Sequence, residues 1–87
     1  MTKRLRQMRI REVRDEFLAR LKNHFPLVEL VDTEDRPAGT VVFRVYAPYD
    51  DKMDILDVNA DRIAELADQD FHVMVLPVSY RAKDHAA

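Results

Sequence analysis

Thr40 to Ala47 reads TVVFRVYA, and its alternation decides how the rest of the chain can fold. Val41, Phe43, Val45 and Ala47 fall on one side and Val42, Arg44 and Tyr46 on the other, the period of two that marks a half-buried strand. Pro37 and Gly39 precede the run and Pro48 follows it, so turn residues punctuate both ends. Gly39 is the single glycine of the chain, and a backbone position of positive φ is its simplest use.

Upstream of this strand, Leu27 to Asp32 (LVELVD) alternates as a second strand. The stretch Thr33 to Gly39 (TEDRPAG) then reads as a long turn that brings the two together as an antiparallel pair. Before them, Ile10, Val13, Phe17 and Leu21, widened by Leu18 and Phe25, form the apolar stripe of an amphipathic helix that Pro26 ends. Residues 1–8 carry Leu5 and Met8 off that stripe, and read either as the helix extended into solvent or as a basic arm ordered by a partner.

Downstream, two readings stand for Asp50 to Gln69. Met53, Leu56, Ala60, Ile63 and Ala67 mark one face of a single helix with aspartates at its start. Alternatively Lys52 to Val58 is a strand and Asn59 caps a shorter helix through Asp68. Phe71 to Val78 (FHVMVLPV) is apolar at almost every position, the pattern of a strand covered on both faces, with Pro77 placing its end at a rim or bulge. Residues 81–87 form a tail without periodicity.

The expected order is helix, strand, strand, helix, strand. This is an α/β domain of the two-layer α+β kind, a single unit over residues 1–87 with both helices on one face of a small mixed sheet. The chain has 87 residues and no cysteine, which excludes disulfides and thiolate chemistry and fits a reducing cytoplasm. No stretch reaches the roughly 20 apolar residues of a membrane span, and the basic start KRLRQMRIR leads into no signal-peptide core. A soluble, unprocessed, cytoplasmic protein is the expectation.

The net charge of −2 conceals a polarity: residues 1–25 hold eight Lys/Arg and three Asp/Glu, and the remainder six and thirteen. Arg4, Arg6, Arg9, Arg11 and Arg14 are therefore candidates for binding an anion or an acidic partner. Nucleic acid is the less favoured partner, because no stacking aromatics interleave with the arginines. Asp50, Asp51, Asp54, Asp57 and Asp61 form an acidic cluster, continued by Glu65 and Asp68 at helical spacing. A solvated face is its ordinary meaning, so no metal and no cofactor is expected. His24, His72 and His85 share no ligand spacing, and His72 is expected to be hydrogen-bonded and partly buried. Ser79 has no placed base, so no catalytic residue is assigned.

With two helices covering one side of the sheet, Val42, Arg44, Tyr46 and one apolar row of the last strand, including Met74, are left on the other. An uncovered patch of that kind marks an interface. The expected function is a non-catalytic interaction module, a homodimer through this face that also binds a protein partner.

Three families resemble this arrangement. From Ile10 to about Lys83 the element order is similar to the minimal nucleotidyltransferase domain, with DRPAG at Asp35 to Gly39 lying where that family carries a glycine-serine element. The resemblance implies a divergent nucleotide-binding domain. The residues before Asp35 read DTE and the next strand reads VFRV, so the glycine-serine and the metal-binding aspartates are missing and no catalytic role carries over. PLVELVDTED followed by VVFRVYAP resembles the BolA-like domain without its arginine-histidine motif. VELVDTEDRPAGTVVFRV resembles the NifU-like scaffold domain without its paired cysteines.

Overall fold

The structure is a computed structural model and describes residues 3–50 and 52–81; Asp51 and the expected tail beyond Arg81 lie outside the described residues. Helix α1 (Lys3–His24) buries Ile10, Val13, Phe17 and Leu21, the stripe set by their spacing. It starts at Lys3, so the arginines from Arg4 to Arg14 all ride on one helix. Strand β1 (Glu29–Asp35) and strand β2 (Thr40–Tyr46) follow, then helix α2 (Lys52–Asp57), helix α3 (Ala60–Asp68) and strand β3 (His72–Val78). The sheet order is β1-β2-β3, with β1 antiparallel and β3 parallel to β2. The organising strand is thus the central one, and both its neighbours are edges.

Val41, Phe43 and Val45 of β2 and Val73 and Val75 of β3 pack with the α1 stripe, Ile55 and Leu66 into one core. At its centre Phe17 meets Phe43 edge to face, with centroids 5.9 Å apart. Truncating either ring to alanine costs about 3–5 kcal/mol by the usual behaviour of buried aromatics.

The hairpin differs from the sequence expectation in its first strand. Thr33 to Asp35 continue β1, and the turn shortens to Arg36 to Gly39, closed by Gly39 N–H on the Arg36 carbonyl at 2.9 Å and Arg36 N–H on the Thr40 carbonyl at 3.0 Å. Gly39 takes φ of 97°, the positive value expected of it. A bulge interrupts the pairing between Leu30 and Asp32, and it changes which side every later residue of β1 faces. Leu30 packs on the core, yet Asp32 and Glu34 pair with Arg44 and Val42 on the helix-free face, while Asp35 pairs with Val41 on the helix side. Without the bulge Asp32 would oppose Phe43 in the core.

Of the two readings for residues 50–69, each holds in part. Lys52 to Asp57 is helix rather than strand, and a separate helix does begin after Asn59. Asn59 does not cap through its side chain. It is buried instead, and its Nδ2 donates to the Phe17 carbonyl at 3.4 Å, tying the α2–α3 junction to α1. Lys52 steadies the approach to α2 by donating from Nζ to the carbonyls of Ala47 and Tyr49.

Strand β3 is the largest departure. Its composition reads as covered on both faces, but it lies at an edge: Val73 and Val75 are buried while His72, Met74 and Leu76 are exposed. Among the described residues, two helices and one neighbouring strand cover one face and one side of it.

Candidate interaction surface

The helix-free face of the sheet divides into two unlike halves. On the β1 side, Arg44 donates to Asp32 at 2.9 Å and to Glu34 at 2.7 Å, and Arg36 reaches Glu34 at 3.3 Å. Their hydrogen bonds, that of Arg44 first, hold the Glu34 carboxyl below its ordinary value, and Asp32 and then Glu34 raise the Arg44 guanidinium. Val42 lies in register between Glu34 and Met74 and is fully buried. This corrects its expected place in an exposed patch, since its cross-strand neighbours Glu34 and Met74 flank it on this face and Arg44 and Arg36 are drawn to Glu34 beside it. Tyr46 is half-buried, with the Arg81 guanidinium 4.7 Å above its ring and Arg81 held by Glu29 at 3.2 Å. Arg44 and Tyr46 therefore belong to a closed polar lid rather than to an open contact.

Among the described residues the β3 side carries no such lid. Met74 is 45% and Leu76 37% exposed, and a groove runs from them around the strand edge, lined by Leu56, Ala60, Ile63, Val73, Val75 and Pro77. On α3, Ala60, Ile63, Ala64 and Ala67 recur at helical spacing, a continuous apolar stripe. Leu66 rather than this stripe enters the core; Ile63 is half-buried and the three alanines are exposed. The sequence spacing marked Ala60, Ile63 and Ala67 as one face but did not show that the face lies beside an open strand edge.

The arginines of α1 are mostly engaged within the chain. Arg6 binds Asp35 and the Gly39 carbonyl, Arg9 binds Gln69 at 2.6 Å, and Arg14 binds Asp15 at 3.0 Å. The guanidiniums of Arg6 and Arg9 also lie 5.6 and 4.8 Å from the ring centre of buried Phe71. Arg4 and Arg11 are exposed on the outer side of the helix. A second groove between α1 and α3, floored by Val13 and Leu66, is crossed by Arg62, which binds Glu16 at 2.9 Å and Glu65 at 3.2 Å.

The acidic residues do not converge. Asp50, Asp54, Asp57 and Asp61 are all exposed, and the break between α2 and α3 removes the common helical face that their spacing suggested. Among the described residues no three His, Asp or Glu side chains gather where a metal ion could sit. His72 is exposed at 55%, with Asp70 3.5 Å away, rather than partly buried. His24 Nδ1 lies 3.1 Å from the Arg20 carbonyl at the end of α1.

Two edges of one sheet thus have opposite chemistry. β1 (ELVDTED) is charged and bulged, the usual protection against edge pairing; β3 (HVMVLPV) carries no Asp, Glu, Lys or Arg. Comparison with protein families, curated proteins and solved structures finds no match to this chain.

Proposed function

We propose that the protein is a small non-catalytic interaction module that self-associates through the apolar surface along β3. The observation that carries the reading is the exposure of Met74 and Leu76 beside the half-covered stripe of α3, on a strand whose composition suits two-sided burial. The contact surface is Leu56, Ala60, Ile63, Met74 and Leu76, in place of the Val42, Arg44 and Tyr46 side of the sheet.

Sedimentation equilibrium tests this. The wild-type chain is expected at twice its monomer mass, and Met74→Glu with Leu76→Glu at one mass, with unchanged far-ultraviolet circular dichroism because both side chains are exposed. A wild-type chain that stays monomeric at millimolar concentration removes the reading.

A further inference from the structure

The geometry points to a second copy of the chain as the occupant of this surface, docked edge to edge with its own β3 antiparallel about a two-fold axis at Met74. This rests on the self-association proposed above and specifies its register.

The main-chain groups come first. Ala47 N–H donates to the Val78 carbonyl at 3.2 Å, so Val78 turns its peptide groups toward β2. By the alternation of a strand Met74 and Leu76 do the same, and Val73, Val75 and Pro77 turn theirs outward. Among the described residues no further strand lies beyond β3, and unpaired edge groups call for an extended chain. Pro77 fits this placement, because its missing N–H falls on the side where β2 asks for no donor.

Centring the pairing on Met74 sets Val73 opposite Val75 of the second copy, and both exchange their N–H and C=O groups. Pro77 then falls opposite Phe71, whose N–H already donates to the Leu66 carbonyl at 2.9 Å, so the ladder ends where its donors end.

Three features select a copy of this chain over an unrelated peptide. The edge has no Asp, Glu, Lys or Arg to oppose its own image, whereas the charged β1 edge would meet like charges. The axis stands perpendicular to the sheet, so it sets α3 beside its symmetry mate on the helix-covered face. There the exposed alanines Ala60, Ala64 and Ala67 permit close approach, while Asp61, Glu65 and Asp68 lie on the solvent side of the helix. On the opposite face Met74 meets Met74, and Leu76 meets His72, of the second copy. A lone peptide strand would leave the α3 stripe uncovered.

The chain has no cysteine, so introduced cysteines report the register directly. In a non-hydrogen-bonded antiparallel pair the Cα atoms stand about 4.5 Å apart, within disulfide reach. The symmetric partners of residue 76 are four positions out of step, roughly 13 Å along the strand. Under mild oxidation Met74→Cys is expected to form a covalent dimer and Leu76→Cys none, while Leu76→Cys mixed with His72→Cys gives the crossed species. Independently, the amides of Val73 and Val75 should slow in hydrogen exchange as concentration rises, although they face away from β2. A wild-type dimer in which Met74→Cys does not cross-link, or in which the Val75 amide exchanges freely, overturns the strand pairing while leaving self-association standing. A wild-type monomer overturns both.

Discussion

Arg6 Nη2 and Asp35 Oδ1 lie 2.9 Å apart, and the same guanidinium donates to the Gly39 carbonyl at 3.0 Å. One side chain near the start of α1 thus holds the end of β1 and the turn that follows it. The pair is partly shielded, with side-chain exposures of 28% and 30%. The Arg6 hydrogen bond keeps the Asp35 carboxyl below its ordinary value. A lowered carboxylate contributes stability that is present above the unfolded value near about 3.9 and is lost as pH falls through the folded one. Asp35→Asn should cost about 0.5–1 kcal/mol at neutral pH and nothing once the wild-type carboxyl is protonated. Urea midpoints of both chains between neutral pH and pH 2 check this; a difference that does not shrink with acid would refute it.

Arg44 offers two separable roles, since it lies two positions along the same face from buried Val42 and its charge binds Asp32 and Glu34. Arg44→Met keeps an unbranched stem and removes the charge, whereas Arg44→Ala removes both. Arg44→Ala should be the less stable variant at every pH. Both should lose less stability than wild type as pH falls below 4, because Glu34 loses the chief partner that lowers its carboxyl and lies beside Asp32 without Arg44 between them. Denaturant curves of the two variants across that range separate stem from charge.

The order of elements was legible because periodicity is a local signal, and α1 from Ile10 onward and β2 over its whole length show it. The bulge at Leu30–Asp32 was not, because it is a property of the cross-strand register, which sets Asp32 opposite Arg44, and periodicity within β1 alone does not carry it. The break at Asn59 was half legible: a polar residue inside an apolar run marks a boundary, but its buried bond to Phe17 spans 42 positions of sequence. For β3, composition spoke to burial and topology overruled it. An apolar run cannot say whether its cover comes from its own chain, and that mismatch became the candidate site.

Asp70 is the one non-glycine residue with positive φ among those described, at 63°. It follows α3, where its N–H donates to the Ala67 carbonyl and that of Phe71 to the Leu66 carbonyl, at 3.0 and 2.9 Å. Both bonds form the Schellman ending, in which glycine is preferred at this position. Asp70→Gly should therefore stabilise the fold by about 1 kcal/mol, since a side chain in this conformation costs about that much. Gly39→Ala should do the reverse, destabilising by about 1–2 kcal/mol, although nothing lies within 4 Å of the added methyl. Thermal unfolding of the two variants should move in opposite directions, and a stable Gly39→Ala chain would show that the turn relaxes.

The last prediction concerns the basic helix. Arg6, Arg9 and Arg14 already have partners within the chain, which leaves Arg4 and Arg11 as the outward arginines among the five candidates. Phosphate attraction without base contacts is weak and depends steeply on salt, because affinity then comes from released counterions. Duplex DNA, single-stranded DNA and RNA should each bind weakly at 20 mM salt and not measurably at 150 mM. Arg4→Ala with Arg11→Ala should abolish the low-salt binding and shift the unfolding midpoint hardly at all, since neither side chain is buried. Arg6→Ala should instead destabilise the fold by releasing Asp35. Binding that persists at 150 mM and is lost in the Arg4, Arg11 variant would make the outer face of α1 a nucleic-acid site, and the β3 edge would then serve to set two such helices at a fixed spacing.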